Sequence, residues 1–132
     1  MKLHPYLIYS GQAEKAIHFY CKTLGFEHTE MKRYKDTPMP HSDTQKEWII
    51  HCELTFKGKL VAMVADTEKV ESGTQIQLSL NYNNLETMKE AFYQLSKGGQ
   101  ILEPLKKQFW NATFGQLIDP FGVYWMMNFD PT

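Results

Sequence analysis

The chain has 132 residues, 42% of them hydrophobic, and a formal net charge of −1. A chain of this length and composition buries an ordinary hydrophobic core without disulfides or metals to hold it together. The charge balance argues against a concentrated basic surface, so neither nucleic acid nor an anionic membrane is an expected partner.

Two further features of the sequence bear on its location. The N-terminus has no apolar run typical of a signal peptide, and no stretch approaches the length of a membrane span. Cys21 and Cys52 could form one disulfide by count, but nothing else is typical of a secreted protein. We therefore expect a cytoplasmic protein with two reduced thiols.

The first half of the chain predicts a strand, a helix and three more strands. Residues 3–10 form the first strand, and Gly25 lies where the helix should end. A polar loop with two prolines, residues 35–46, could be a lid or a connector. The later strands are predicted over residues 26–34, 48–56 and 60–65, and the helix from the apolar stripe Ala13, Ala16, Ile17, Tyr20 and Leu24.

The strand over residues 48–56 alternates between two faces. Ile49, His51, Glu53 and Thr55 are predicted on one face. The other face should then be the apolar one, with Trp48, Ile50, Cys52, Leu54 and Phe56.

The second half predicts the same order of elements. Residues 75–82 alternate as a strand, Asn83-Asn84 offers a helix cap, and Glu86 suggests a capping box with Asn83. The second helix is predicted from Leu85, Met88, Ala91, Phe92 and Leu95, and Gly98-Gly99 closes it. A strand over residues 100–105 and a hairpin with the type I turn Asp119-Pro-Phe-Gly122 complete the chain, so Asp119 is predicted to be structural.

An internal repeat joins these predictions into a fold. Phe19-Tyr20 and Gly25 recur with the same spacing as Phe92-Tyr93 and Gly98. We predict an α+β fold of two βαβββ modules in a single domain over residues 1–132, with module one 1–66, linker 67–74 and module two 75–132. The helices should cover the outer faces of two mixed sheets, and the opposite faces should line a concave ligand cavity.

Three motifs give the chain a resemblance to a known family. They are Ala16-Ile-His-Phe-Tyr20 with Leu24-Gly-Phe26, His51-Cys-Glu-Leu54, and Trp110…Phe114-Gly…Asp119-Pro-Phe-Gly-Val…Trp125. Together they resemble the PhnB-like branch of the vicinal oxygen chelate superfamily, which includes glyoxalase I, bleomycin-resistance proteins and extradiol dioxygenases. The resemblance covers essentially the whole chain. It implies a homodimer with a cavity between paired modules.

The resemblance also implies where a metal ion would be held. In the metalloenzymes of the superfamily, the ligands come from the first and last strands of each module. Those positions fall at Pro5, with His4 one residue away, and at Met63, Gln77 and Met126. Divalent ions there need imidazole or carboxylate ligands, which proline and methionine do not supply. We therefore expect the usual metal site to be absent and predict no cofactor.

Members of this branch are often named as demethylubiquinone methyltransferases. A methyltransferase would need a site for an adenosyl cofactor, and no glycine-rich motif follows the first predicted strand. We therefore do not expect that activity.

His51 and Glu53 are the strongest candidates for chemistry, because they lie two residues apart on one predicted face. They could form an acid–base pair or bind a relocated metal ion. They could equally be polar residues on a hydrated sheet face or at a dimer contact. The other candidates for a ligand pocket are Tyr9, Met63, Gln77, Ser79, Trp110, Tyr124, Met126 and Asn128.

Several of these candidates have a second interpretation. Gln77 and Ser79 could bind a polar ligand or only water, and Trp110 could stack on a planar ligand or pack in a core or interface. Whether Tyr9, Tyr124 and Asn128 reach the cavity depends on which face of its strand each occupies. Met126 shares a face with Tyr124 and Asn128. The predicted function is small-molecule binding without the usual metal. The alternative is a metal-dependent lyase, isomerase or dioxygenase-like enzyme that uses His51 and Glu53.

Overall fold

The computed structural model describes residues 1–132, which divide into two compact units. Unit 1 is Met1–Glu71 and unit 2 is Ser72–Thr132. The boundary lies within residues 67–74, the segment predicted as a linker. Neither α-helix is long and apolar enough to cross a membrane.

Unit 1 is a mixed sheet with one α-helix. Its strands lie in the order β1-β5-β4-β2, and β3 also pairs with β4. β1 runs parallel to β5, and the other pairs are antiparallel. The strand predicted over residues 26–34 is split into two short strands. In chain order the elements are β1 (Tyr6–Tyr9), α1 (Ala13–Leu24), β2 (Glu27–His28), β3 (Lys32–Arg33), 3₁₀ helices at Tyr34–Asp36 and Asp43–Gln45, β4 (Ile49–Phe56) and β5 (Lys59–Asp66).

Unit 2 has the same plan in four strands. The order in its sheet is β6-β9-β8-β7, with β6 parallel to β9 and the other pairs antiparallel. The predicted α+β fold of two βαβββ modules with mixed sheets is therefore confirmed. The elements are β6 (Leu78–Tyr82), α2 (Leu85–Ser96), β7 (Gln100–Lys107), β8 (Thr113–Ile118) and β9 (Tyr124–Phe129).

Each helix buries most of the apolar stripe that its spacing predicts, while Leu24 and Leu85 at the helix ends are half-buried. Gly25 ends α1 in the left-handed conformation, with φ 73°, and its N–H donates to the Cys21 carbonyl. α2 begins differently from the prediction, because Asn84 rather than Asn83 is the cap and its side chain accepts from the N–H of Thr87. The buried stripes are Ala13, Ala16, Ile17 and Tyr20 in α1, and Met88, Ala91, Phe92 and Leu95 in α2.

Gly115 lets α2 approach the sheet of unit 2 closely. A Cβ atom at this position would lie 2.8 Å from a ring carbon of Phe92 and 2.8 Å from a methyl carbon of Leu105. Any side chain larger than hydrogen would therefore push the helix and β7 away from β8. This explains the glycine of the Phe114-Gly115 pair in packing terms.

The carboxylate of Asp66 joins three segments of unit 1. Asp66 is 1% exposed. Its Oδ1 accepts from the N–H groups of Gly11 (2.7 Å) and Ala13 (3.0 Å) at the start of α1, and its Oδ2 accepts from the N–H of Ile49 (3.0 Å). Burial raises the pKa of the Asp66 carboxyl, and the backbone hydrogen bonds oppose this shift. The end of β5, the start of α1 and the start of β4 are thereby fixed together.

This contact also corrects one face assignment. Ile49 was predicted beside His51 on the polar face, but it is fully buried. It lies at the first position of β4, where its N–H is bonded to Asp66 and the pairing with β3 shifts register. The predicted alternation holds from Cys52 to Leu54, with Cys52 and Leu54 buried and Glu53 half-exposed. Phe56, predicted on the same apolar face, is 40% exposed, because the pairing of β4 with β5 shifts register after Leu54.

Asp119 has a comparable structural role in unit 2, as predicted. The N–H of Gly122 donates to the Asp119 carbonyl (3.1 Å), which closes the expected turn. The Asp119 side chain is 2% exposed and accepts from the N–H groups of Phe121 (2.8 Å) and Val123 (3.1 Å) and from Trp125 Nε1 (2.9 Å). Trp125 is itself buried, so the turn and the core are connected through one carboxylate.

Asp66→Asn tests the junction in unit 1. The amide replaces one acceptor oxygen with a donor that must face a buried backbone N–H. We expect the free energy of unfolding to fall by about 1–3 kcal/mol, measured by urea denaturation. Asp130→Asn, at an exposed carboxylate near the C-terminus, is the matched control and should change it by less than about 0.5 kcal/mol. Equal stability of the two variants would contradict the role given to Asp66.

Candidate functional site

The sheet face of unit 1 opposite α1 is called here the open face of unit 1. It carries Tyr6 and Ile8 from β1, Met63 from β5, and His51 and Glu53 from β4. Met63 is the central member, because it pairs with Tyr6 on one side and with Glu53 on the other. Three adjacent strands thus place a tyrosine, a methionine and a glutamate in one row.

A trio of Tyr6, His51 and Glu53 lies on this face, joined by one hydrogen bond and one longer ion-pair contact. The Tyr6 hydroxyl is 2.9 Å from His51 Nδ1, and the two ring centroids are 5.9 Å apart. His51 Nε2 lies 3.5 Å from Glu53 Oε2. The His51 and Glu53 side chains remain 34% and 40% exposed, so a ligand can reach them. The structure therefore brings together the two residues that the sequence singled out.

Tyr6 is the member of the trio that the sequence analysis missed. Burial raises the pKa of its phenol, with a smaller contribution from Tyr34, so the hydroxyl keeps its proton at neutral pH. The signal was the alternation within β1, which puts Tyr6 and Ile8 on the face opposite Leu7. Its contact with His51, however, depends on a pairing between distant strands.

Tyr9, a predicted pocket residue, lies on the other side of the sheet. It is 3% exposed, and its hydroxyl is 2.7 Å from the hydroxyl of Tyr20 on α1. It therefore belongs to the core between sheet and helix and does not join the trio.

The corresponding face of unit 2, called here the open face of unit 2, carries neutral side chains on β6, β9 and β8, and the edge strand β7 pairs Glu103 with Gln116. Met126 of β9 is again central, paired with Ser79 of β6 and with Gln116 of β8. The Gln116 side-chain amide donates to the Gln77 side-chain carbonyl. Gln116 was missed by the sequence analysis, although its phase in the hairpin with Met126 would have indicated it.

The other candidates in unit 2 divide into two groups. Asn128 pairs with Asn81 in the row next to Met126, and Tyr124 begins the same strand in the same phase. Trp110 lies outside the strands, in the loop between β7 and β8, where it is 52% exposed and packs edge-to-face on Phe109 at 4.8 Å. The structure therefore does not group Trp110 with the other candidates.

The residues at the positions expected for a metal do not fit a divalent ion. Met63 and Met126 offer thioethers, and the Gln77 carbonyl already accepts a hydrogen bond. Pro5 offers no side-chain ligand, and its backbone carbonyl accepts from the N–H of Met63. No three His, Cys, Asp or Glu side chains lie together in an arrangement that could hold a metal ion. Thioether and amide donors are poor ligands for the zinc-type or magnesium-type ions that such sites hold.

Comparison with known proteins gives consistent matches over the whole chain. A family model for the Glyoxalase/Bleomycin resistance protein/Dioxygenase superfamily matches residues 2–127. The chain is similar to protein YjdN of Escherichia coli (strain K12), with 28% identity over 142 aligned positions that cover 97% of this chain and 95% of the relative.

Solved structures give the same result. Protein PA1353 from Pseudomonas aeruginosa is 32% identical with a TM-score of 0.88, and the match covers 98% of each chain. The PhnB protein from Bacillus cereus is 27% identical with a TM-score of 0.80, covering 98% of this chain and 99% of that one.

A double-mutant cycle tests the contact between Tyr6 and His51. Tyr6→Phe keeps the ring and removes the hydroxyl, so it should lower the free energy of unfolding by about 0.5–1 kcal/mol when His51 is present. In a His51→Ala background the same change should have almost no effect. Tyr93→Phe, at an exposed tyrosine whose hydroxyl forms no hydrogen bond, should add to His51→Ala within about 0.3 kcal/mol. Additive effects for Tyr6 as well would rule out the contact.

Proposed function

The chain belongs to the glyoxalase/bleomycin resistance protein/dioxygenase superfamily, and on this premise we propose that it is a small-molecule-binding protein of the PhnB-like type. It works without the divalent ion that is usual in the metalloenzymes of the superfamily. The observation that carries the proposal is the placement of Met63 and Met126. Each lies at the centre of an open face. The family resemblance implies that the metalloenzymes place a ligand at these strand positions.

The chemistry of the two open faces supports binding of an organic molecule. A thioether is flexible and polarisable, so it adapts to apolar groups of different shape. Around each methionine stand a few polar groups of the kind that orient a ligand. In unit 1 these are the trio of Tyr6, His51 and Glu53, and in unit 2 they are the amides beside Gln116.

The turn after β1 gives no support to methyl transfer with an adenosyl cofactor. Such cofactors are held by backbone N–H groups at the start of a helix. In this chain the N–H groups of Gly11 and Ala13 already donate to the buried Asp66. S-adenosylmethionine is therefore expected not to bind there.

One observation favours a second candidate function. His51 Nε2 and Glu53 Oε2 converge to 3.5 Å, close enough for both to bind one ion after a small adjustment. A metal-dependent lyase, isomerase or dioxygenase-like enzyme would use this pair, with water or substrate in the remaining ligand positions. Metal analysis separates this candidate from the first.

The experiment uses untagged protein purified without chelators. We expect a metal content far below one ion per chain and a melting temperature that EDTA leaves unchanged. A panel of small metabolites and drugs, with S-adenosylmethionine included, is then screened by thermal shift. A true ligand stabilises the native state by about 2.7 kcal/mol at a hundred times its Kd, while S-adenosylmethionine should have no effect.

Two results would contradict the proposal. The first is one metal ion per chain that is lost in His51→Ala but kept in His18→Ala, a matched change at an exposed histidine of α1. The second is a panel in which no compound raises the melting temperature. The proposal includes the homodimer that the family resemblance implies, and a sedimentation mass of one chain would contradict it. It also includes the cytoplasmic location expected from the two reduced thiols.

A further inference from the structure

We infer that the open face of unit 1 selects organic amines, which it binds through Glu53 and the hydroxyl oxygen of Tyr6. This inference rests on the proposed function and names the ligand class of the same face. It depends on which hydrogen-bond donors and acceptors of Tyr6, His51 and Glu53 are left for a ligand.

The contacts of His51 indicate which ring nitrogen carries the proton. A carboxylate only accepts hydrogen bonds, and Glu53 faces Nε2 of the imidazole at 3.5 Å. The neutral ring therefore carries its proton on Nε2. Nδ1 is then an acceptor, so the Tyr6 hydroxyl, 2.9 Å away, must donate to it. The Tyr6 hydroxyl thus donates to His51, and the N–H of His51 faces the Glu53 carboxylate at 3.5 Å.

Both donor protons of the trio thus point toward acceptors inside it. The groups left for a ligand are the lone pairs of the Tyr6 oxygen and the second oxygen of Glu53. With a neutral imidazole the trio carries one negative charge and offers acceptors only. A ligand must therefore bring the donors, and a cationic donor forms the stronger hydrogen bonds with a carboxylate.

The neighbours of the trio define the rest of the ligand. Met63 lies between Tyr6 and Glu53 in the row, and Ile8 is 37% exposed beside them, so an apolar body has a surface to cover. Lys32 is the cation nearest in register, since it pairs with His51 across β3 and β4. It forms no ion pair with Glu53 within 4.0 Å, so the carboxylate is not neutralised. The class that fits is a primary amine on an apolar or aromatic body.

The experiment compares three compounds of similar shape by NMR on methyl-labelled methionine. The compounds are 2-phenylethylamine, 2-phenylethanol and 3-phenylpropanoate, and the Met63 signal is assigned with Met63→Leu. We expect the amine to shift the Met63 methyl to saturation and the carboxylate to leave it unchanged. The alcohol, a neutral donor, should bind about tenfold more weakly than the amine.

Variants separate Glu53 from general surface charge. Glu53→Gln removes the charge while keeping the shape, so the affinity for 2-phenylethylamine should fall about tenfold. Glu27→Gln, at an exposed glutamate of β2, is the matched control and should leave the affinity unchanged. The melting temperature of each variant confirms that it is folded.

The remaining outcomes overturn the inference in distinguishable ways. If the carboxylate or the alcohol shifts Met63 as strongly as the amine, or if Glu53→Gln binds the amine as well as the parent, amine selection is wrong while ligand binding on this face stands. If none of the three compounds shifts Met63, amine selection is also wrong, and the thermal-shift panel then decides separately whether the proposed function stands.

Discussion

The hydrogen bonds to the buried Asp66 carboxylate organise unit 1. They satisfy N–H groups at the starts of α1 and β4, and those of Ala13 and Ile49 would otherwise be buried without acceptors. Because Asp66 is the last residue of β5 and pairs with Tyr9, the carboxylate also fixes which face of the sheet α1 covers. Met63 and Tyr6, an odd number of positions away on their strands, are thereby directed to the open face. In unit 2, Asp119 has a similar role. Its carboxylate accepts hydrogen bonds from two backbone N–H groups and from the Trp125 indole N–H.

The open faces of the two units share a strand arrangement but differ in the side chains they carry. Tyr6, Met63 and Glu53 form the row in unit 1, and Ser79, Met126 and Gln116 form the row in unit 2. The central methionine is common to both, which is why neither row suits a hard metal ion. The positions next to the methionine differ in charge, since unit 1 has the Glu53 carboxylate where unit 2 has the Gln116 amide, and the nearest carboxylate in register in unit 2 is Glu103 on the edge strand. The same backbone arrangement thus carries different side-chain chemistry in the two units, as is general for shared folds.

Local patterns predicted the elements well. Helical spacing gave both buried stripes, and the turn Asp119-Pro-Phe-Gly122 was recognised because each position has a known conformational requirement. The repeat of Phe19-Tyr20 as Phe92-Tyr93 was less exact than it looked. Tyr20 is fully buried whereas Tyr93 is 66% exposed. The two helices therefore pack on their sheets through residues at different positions of the repeat.

The candidate site was predicted only in part, because it depends on strand pairing. His51 and Glu53 were found since they lie on one strand, two residues apart. Tyr6 was missed because it reaches His51 across the sheet from a strand 45 positions away. Tyr9 was assigned to the pocket because phase alone does not say which face a helix covers. That face is decided by a tertiary contact, the bonding of Asp66 to the start of α1.

The proton on the His51 ring decides whether the open face of unit 1 accepts or donates hydrogen bonds. Nitrogen-15 NMR of the imidazole, recorded where the ring is neutral, reads its position directly. The arrangement described above predicts a protonated Nε2 and a Nδ1 that accepts a hydrogen bond. A proton on Nδ1 would contradict it, since Tyr6 would then be the acceptor and its hydroxyl proton would point toward the ligand.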